Sequence, residues 1–161
     1  CYNLYFKGVP VVGNMVVSIL LAFVFIFTEI IFYSQAQTML IPGCLVFGLS
    51  FIREFIKDIQ DYEGDKHYNI KTLPVRIGPK KSINIAIFMI IVFCIIILIP
   101  YFIGYYQTNY LISVIILVEI PLILLVSLLL RNPNKLMLRK ISIMIKIISC
   151  FGLLVILIAN S

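Results

Sequence analysis

Hydrophobic residues fill most of this chain in long, uninterrupted blocks, without the polar alternation of a helix or strand at a water-facing surface. An apolar block of about 20 residues is typical of a membrane-spanning helix. The blocks predict five such helices, separated by short polar or charged segments. The predicted fold class is an all-α transmembrane helical bundle, with spans at residues 10–33, 39–56, 82–103, 110–130 and 141–159.

Two of these spans depart from the simple pattern. The apolar part of the second ends near Ile52, which is short for a crossing, so we expect its helix to continue through Ile56 into a charged segment. The fourth is interrupted by Glu119 and Pro121. An ionisable group inside a span is costly and is a candidate for function. Glu29, near the end of the first span, is expected to reach water.

Composition agrees with a multi-pass integral membrane protein. The chain is 62% hydrophobic and 12% charged, whereas soluble domains carry about 25% charged residues. Its four cysteines are far apart and lack C-x-x-C spacing, so the three within apolar runs are expected to be small buried hydrophobes. The cysteines are Cys1, Cys44, Cys94 and Cys150.

The basic residues predict an orientation in the membrane. The formal net charge is +6, and twelve of the thirteen Lys and Arg lie at alternate span ends: Lys7, the seven from Arg53 to Lys81, and Arg131, Lys135, Arg139 and Lys140. Cytoplasmic loops carry the excess of Lys and Arg. We therefore expect both charged loops to be cytoplasmic, and we expect no nucleic-acid partner.

The start of the chain suggests that more sequence precedes it. The first residue is Cys1, and a polar stretch leads directly into a span. No charged region, apolar region and cleavage site of a signal peptide come before that span. The expectation is a single transmembrane domain over residues 1–161 that forms the C-terminal part of a larger protein.

Five of the seven acidic residues lie within residues 51–78, and four of them share a helical spacing. Glu54, Asp58, Asp61 and Asp65 fall at i, i+4, i+7 and i+11. At about 100° per residue, these carboxylates occupy a sector of roughly 60° on one helix face. Like charges so close repel one another. A cation is therefore expected on this surface, which we call the acidic face.

The donor chemistry of the acidic face favours a hard metal ion. Carboxylate oxygens without nearby cysteine prefer Mg²⁺, Mn²⁺ or Ca²⁺. Magnesium usually takes one or two carboxylates together with substrate phosphates, and Lys66, Lys71 and Arg76 follow directly. Residues 57–81 are thus predicted to be an active-site loop for a phosphate or diphosphate, with an extended piece after His67. The simpler alternative is a solvated helix end.

These residues resemble the second aspartate-rich motif of UbiA-type intramembrane prenyltransferases. In that family the motif lies on the cytoplasmic side, between the sixth and seventh of nine helices, so the five spans would be helices five to nine. The start of the matching run, Arg53-Glu54-x-x-Lys57-Asp58, together with Gly13 and Asn14, is most similar to the branch that prenylates geranylgeranylglyceryl phosphate. The matching run is Arg53-Glu54-x-x-Lys57-Asp58-x-x-Asp61-x-x-Gly64-Asp65, followed by Lys71-Thr72-Leu73-Pro74-Val75 and Gly78.

The resemblance implies Mg²⁺-dependent transfer of a prenyl group, with Mn²⁺ as a substitute ion, in a prokaryotic cell membrane. The partners implied are a polyprenyl diphosphate, membrane lipids, and a lipid or aromatic acceptor, the lipid slightly ahead. Asp58, Asp61 and Asp65 would be catalytic metal–diphosphate ligands, with Glu54 as a helper. The residues implied to bind the diphosphate are Lys71, Arg53, Lys57 and Lys66.

The chain also departs from the family pattern. The family's first motif, an Asn/Asp-rich stretch between its second and third helices, is not in this sequence, so this segment alone is expected to be inactive. The Tyr-x-x-x-Lys element before the fifth helix is matched only loosely, by Tyr2, Tyr5 and Lys7. Asn69 stands where a glycine is common.

Two other classes of function stay open on the sequence. A cation transporter or channel would use Glu119 and the acidic face as an ion path, but such proteins distribute acids over several spans. A non-catalytic membrane subunit would dock a basic partner on the acidic face. A catalytic role for His67 is less expected than an ordinary place in a loop.

Overall fold

The structure is a computed structural model that describes residues 11–34 and 38–159, and within these ranges it contains helices and no strands. This confirms the predicted all-α class. The long helices are α1 (Val12–Tyr33), α2 (Leu40–Gln60), α5 (Pro79–Phe102) and α8 (Lys135–Ala159). The shorter ones are α3 (Tyr62–His67), α4 (Leu73–Ile77), α6 (Thr108–Val114) and α7 (Ile120–Leu129), with a π-helical turn at Ile115–Glu119 between the last two.

Among the described residues, four helical segments are long and apolar enough to cross a membrane. They are Val12–Phe32, Pro79–Phe102, Thr108–Leu129 and Lys135–Ala159. The helix α2 is not among them, because its last turns carry charged side chains. Its apolar part, Leu40 to Ile52, is about 20 Å long at the usual rise, against about 30 Å for the hydrocarbon core.

The predicted ends of the spans shift where a charged segment turns out to be helical. The last helix begins at Lys135 rather than at residue 141. There the Asn134 side chain accepts a 2.9 Å hydrogen bond from the Met137 N–H, a helix cap that apolar content does not reveal. The helix α5 begins at Pro79, after Gly78 at a φ of 89°, because proline suits a first helical position.

The predicted loop at residues 57–81 is also mainly helical. It contains the end of α2 and all of α3 and α4, and the expected extended piece after His67 is replaced by α4. Proline occupies the first turn of α4, where its missing N–H costs nothing. Thr72, with φ −71° and ψ 161°, has an extended backbone directly before α4.

The interruption expected in the fourth span is a π-helical turn. It ends at Glu119, directly before Ile120 and Pro121 of α7. Proline has no N–H to donate to the preceding turn, and a single π turn is a common way to accommodate such a defect. The helix therefore continues through the interruption instead of ending there.

Helix α2 lies at the centre of the bundle. It packs against α1, α5 and α8, and its apolar side chains Ile52, Phe55 and Ile56 are nearly inaccessible to solvent. Gly48 allows α5 to approach closely, since a Cβ at this position would lie 2.5 Å from the ring of Phe93. The acidic face therefore begins on the helix that packs against all three of the other long helices.

Two expectations about individual side chains are wrong. Glu29 is buried, and its two carboxylate oxygens accept hydrogen bonds from the backbone N–H groups of Thr38 (2.7 Å) and Met39 (2.8 Å). Cys44 and Cys150 are exposed on helix surfaces rather than buried, and Cys94 is half-buried. Cys1 lies outside the described residues, as do Tyr2, Tyr5 and Lys7.

Candidate functional site

The acidic face spans two helices rather than one. The helix α2 ends at Gln60, Asp61 forms the junction, and Asp65 belongs to α3. The prediction of one continuous helix is therefore wrong, although the break is slight. The Asp61 N–H donates to the Lys57 carbonyl (3.0 Å), and the Asp65 N–H donates to the Asp61 carbonyl (2.9 Å). This helical hydrogen-bond spacing keeps the two parts of the face in register.

Asp58 is affected by every other carboxylate of the acidic face. Burial, and then the negative charges of Asp65, Glu54 and Asp61, raise the pKa of Asp58 from 3.8 to about 6. Desolvation and nearby like charges both disfavour the carboxylate form. Since all three other carboxylates affect Asp58, the predicted clustering on one side of the segment is consistent with the structure.

One interaction opposes this rise in pKa and was not predicted. The Asn14 amide in the first turn of α1 donates a 2.7 Å hydrogen bond to Asp58 Oδ2. Asn14 is buried, and its own carbonyl accepts a 2.7 Å hydrogen bond from Ser18 Oγ. The signals in the sequence were the family resemblance at Gly13 and Asn14 and an amide at the start of an otherwise apolar helix, which fits interhelical hydrogen bonding as well as a functional site.

The basic residues near the acidic face differ in their pairing. Arg53 forms an ion pair with Glu54, and Lys57 Nζ lies 3.8 Å from the other Glu54 oxygen. Lys57 thus lies within ion-pair distance of one residue of the acidic face. Lys66 lies 6.0 Å from the centre of the Tyr62 ring, and Lys71 is exposed. Among the described residues, neither forms a salt bridge.

The segment that follows the acidic face is hydrogen-bonded to the helix that carries Asp65. The Ile70 N–H donates a 2.8 Å hydrogen bond to the Asp65 carbonyl, which ties Lys71 and Thr72 to the end of α3. Thr72 is buried, and its hydroxyl has no hydrogen-bond partner among the described residues. Asp65 itself is also buried. The motif residues from Asp58 to Thr72 thus form one continuous local structure.

The carboxylates fit Mg²⁺ only as a partial ligand set. Within residues 11–34 and 38–159, no three carboxylate, imidazole or thiol groups lie close enough to hold a metal ion between them. The negative potential at Asp58 nevertheless favours a cation. One or two carboxylates per ion, with substrate phosphates as the other ligands, is the usual arrangement for magnesium.

His67 and Glu119 are the remaining candidates. His67 is exposed and packs edge-on against Tyr68, with the ring centres 5.1 Å apart. Glu119 lies in the π-helical turn, where one carboxylate oxygen is buried and has no hydrogen-bond partner in the described part of the chain. Neither residue contacts the acidic carboxylates through a hydrogen bond in the described structure.

Comparison with known proteins gives one consistent family. The model of the UbiA prenyltransferase family matches residues 1–148. A protein of Methanococcus maripaludis (strain C6) named digeranylgeranylglyceryl phosphate synthase is 35% identical over 155 residues, which are 96% of this chain and 55% of the relative. A protein of the same name from Methanosphaera stadtmanae is 35% identical over 136 residues, 84% of this chain and 49% of the relative.

A solved structure has the same fold over the segment that this chain covers. It is described as "Structural and mechanistic insights into the biosynthesis of Digeranylgeranylglyceryl phosphate synthase in membranes". The TM-score is 0.80 and the identity 31%, over 98% of this chain and 56% of that chain. This chain therefore spans about half the length of the relatives that it matches.

Proposed function

The chain belongs to the UbiA prenyltransferase family, and we propose that it supplies the second diphosphate-binding half of an enzyme that transfers a prenyl group. The donor is a polyprenyl diphosphate, and the acceptor is a membrane lipid. The observation that carries this proposal is the raised pKa of Asp58, caused by burial and by the charges of Asp65, Glu54 and Asp61, at the end of the central helix of an apolar bundle.

The proposed metal is Mg²⁺, for which Mn²⁺ would substitute. Asp58, Asp61 and Asp65 would hold it, with Glu54 as a further candidate. When bound, the ion neutralises charge on the carboxylates and on the departing diphosphate. Asn14 holds Asp58 by its 2.7 Å hydrogen bond, and Arg53 and Lys57 pair with Glu54, so these three residues orient the acidic side chains.

Lys71 and Lys66 are the best-placed cations for the diphosphate. Both are exposed and are not engaged by a salt bridge in the described part of the chain. Lys ammonium groups donate strong hydrogen bonds to phosphate oxygens. Arg53 and Lys57 remain in the proposed diphosphate-binding set, but each would have to bind the diphosphate while it is also paired with Glu54.

The chemistry proposed is an alkylation. The bond between the allylic carbon and the diphosphate oxygen breaks, and the electron pair leaves with the diphosphate. An acceptor oxygen forms the new bond to carbon and loses its proton. Cationic side chains stabilise the charge that develops on the leaving group, and the apolar walls of the bundle keep water from the reacting carbon.

The names of the relatives support geranylgeranylglyceryl phosphate as the acceptor. The relatives cited are named digeranylgeranylglyceryl phosphate synthase, and these names favour a lipid acceptor over an aromatic one. For the whole protein we propose nine helices, of which this chain gives the last five, with α2 as the sixth. We also propose that the acidic face is cytoplasmic, because Lys and Arg collect at that end.

The test compares acidic residues on and off the acidic face in the full-length protein. Asp61→Asn and Asp65→Asn should each lower prenyl transfer from geranylgeranyl diphosphate to geranylgeranylglyceryl phosphate by about 100-fold or more. Glu63→Gln is the matched control, because Glu63 is an exposed acid of α3. Its turnover should stay close to that of the wild type. Normal turnover in both Asn variants would overturn the assignment of the site.

A further inference from the structure

A groove beside the first turns of α5 combines polar and apolar walls. Its volume is about 210 Å³, and it lies between the start of α5 and the segment after α7. The polar wall consists of Lys80, Asn84 and Asn132, and Ile83, Ile87 and Leu129 form much of the apolar wall. The acidic residues of α2 and α3 do not line it, so it is separate from the acidic face.

The polar side chains of the groove have no protein partners in the described structure. Lys80, Asn84 and Asn132 are exposed, and within residues 11–34 and 38–159 their side chains form no hydrogen bond or salt bridge. Lys80 and Asn84 are four residues apart on α5 and so project from the same side of the helix. Three unpaired polar groups therefore face one space.

The position of Asn84 points to a ligand at this site. It lies more than one turn inside the segment Pro79–Phe102, which is apolar enough to cross a membrane. An amide without a hydrogen-bond partner costs free energy when it is removed from water. A headgroup at the membrane boundary would supply the missing acceptor, while its chain runs along Ile83 and Ile87.

The charge of the surrounding surface indicates that the ligand is anionic. Between Lys66 and Ser161 the sequence has ten Lys and Arg and a single acid, Glu119. Lys81 and Arg131 are exposed beside the groove. Basic pockets between membrane helices bind anionic lipid headgroups. We propose that this groove binds an anionic membrane lipid, with its phosphate on Lys80, Asn84 and Asn132.

Nonspecific attraction between the basic surface and an anionic membrane would respond to substitutions differently from specific lipid binding in the groove. Surface attraction depends on the number of charges, so Lys80 and Lys81 should contribute equally. The groove contains Lys80 but not Lys81. The pair Lys80→Gln and Lys81→Gln removes the same charge from adjacent exposed positions, and only the first changes the groove.

The experiment measures lipid retained by the purified full-length protein, by native mass spectrometry after transfer from vesicles of phosphatidylcholine and phosphatidylglycerol. The wild type should retain phosphatidylglycerol in preference to phosphatidylcholine. Lys80→Gln should lower that retention roughly tenfold, the effect of losing a hydrogen bond to a charged group. Lys81→Gln should change it less than about twofold.

A second variant tests the groove without changing its size. Asn84→Asp places a negative charge against the phosphate and should expel phosphatidylglycerol while leaving the elution volume and melting temperature unchanged. Three results would each overturn the proposal: equal retention of the two lipids by the wild type, equal losses in the two Lys variants, or wild-type retention by Asn84→Asp. Displacement by millimolar inorganic phosphate would also contradict it, because the apolar wall should favour a lipid.

Discussion

The side-chain amide of Asn14 donates a 2.7 Å hydrogen bond to Oδ2 of Asp58, and so joins the first turn of α1 to the end of α2. The two residues are 44 positions apart in the sequence. At the other end of the same helix pair, Glu29 of α1 accepts hydrogen bonds from the backbone just before α2. Polar contacts thus fix both ends of an otherwise apolar pair of helices.

The Asn14–Asp58 hydrogen bond should position the carboxylate for its proposed role. In the full-length protein, Asn14→Ala should lower kcat/KM for prenyl transfer by about 10-fold, the effect of losing a hydrogen bond to a charged group. The concentration of Mg²⁺ that gives half-maximal activity should rise, because the carboxylate is no longer held in one orientation. Enzyme kinetics over a Mg²⁺ titration provides the measurement.

Ser18→Ala is the matched control for Asn14→Ala. It removes the hydrogen bond from Ser18 Oγ to the Asn14 carbonyl (2.7 Å) and leaves the amide free to bind Asp58. Its Mg²⁺ requirement should match that of the wild type. If the two variants lose activity equally with unchanged Mg²⁺ dependence, Asn14 has a role only in packing.

Glu29 should contribute to stability rather than to activity. Its carboxylate accepts hydrogen bonds from the Thr38 and Met39 N–H groups (2.7 and 2.8 Å), which have no helical acceptor at the start of α2. Glu29→Ala should cost about 2–4 kcal/mol, because two charge-assisted hydrogen bonds are lost. Thermal unfolding in detergent is the measurement.

Thr28→Val is the comparison for Glu29→Ala. Thr28 is exposed, and its hydroxyl donates a hydrogen bond to the Val24 carbonyl of its own helix (2.7 Å), its one side-chain hydrogen bond within the described residues. Its replacement should change the free energy of unfolding by less than about 0.5 kcal/mol. A Glu29→Ala protein as stable as Thr28→Val would show that the two N–H groups find other acceptors.

The sequence predicts the helices of this protein much better than their contacts. Long apolar blocks identify directly the four helical segments that are long and apolar enough to cross a membrane, since the membrane sets this length. Within α5 and α7, however, apolar side chains cover every side of the helix. Lipid-facing and protein-facing positions then have the same chemistry, so the pattern does not reveal that Ile90 is buried and Phe88 is exposed.

The acidic face was predictable because charges are rare in this chain, but its local shape was not. The spacing of Glu54, Asp58, Asp61 and Asp65 brings three carboxylates within electrostatic range of Asp58. The junction between α2 and α3 falls at Asp61, where no proline or glycine indicates a helix end in the sequence. The contributions of Asn14 and Glu29 depend on long-range helix packing, which a single sequence does not specify.

Gly48 is expected to be essential to the close packing of α2 against α5. A Cβ at this position would lie 2.5 Å from Cε2 of Phe93, and the Phe93 ring is buried. Gly48→Ala should therefore destabilise the bundle by about 1–3 kcal/mol, the usual effect of overpacking. Gly152→Ala is the control, because nothing lies within 4 Å of its added Cβ. That variant should be neutral or more stable by up to about 1 kcal/mol, since alanine favours a helix.

Thermal unfolding of both glycine variants in one detergent provides the measurement. Gly48→Ala should melt below the wild type, and Gly152→Ala should melt at or above it. Equal melting temperatures for the two variants would mean that the Phe93 ring moves aside without cost, and that the α2–α5 contact is looser than the structure indicates.

Asp58 should make the metal-free protein less stable as the pH rises. Its folded-state pKa is raised to about 6 from 3.8, by burial and by the charges of Asp65, Glu54 and Asp61. A carboxyl group with a raised pKa binds its proton more tightly in the folded state. Its favourable contribution is therefore complete below pH 3.8 and is lost as the pH rises through about 6.

Asp58→Asn keeps the shape of the side chain and removes this titration. In the presence of EDTA, the wild type should lose about 1.4 kcal/mol of stability relative to Asp58→Asn between pH 5 and pH 7.5, because about one unit of the pKa shift lies above pH 5. Mg²⁺ should reduce the difference at pH 7.5, because a bound cation offsets the repulsion among the carboxylates. Glu63→Gln is the control, since it removes an exposed charge from the same segment. If Glu63→Gln and Asp58→Asn show the same pH dependence, the carboxylates do not converge on Asp58, and the proposed metal site loses its electrostatic basis.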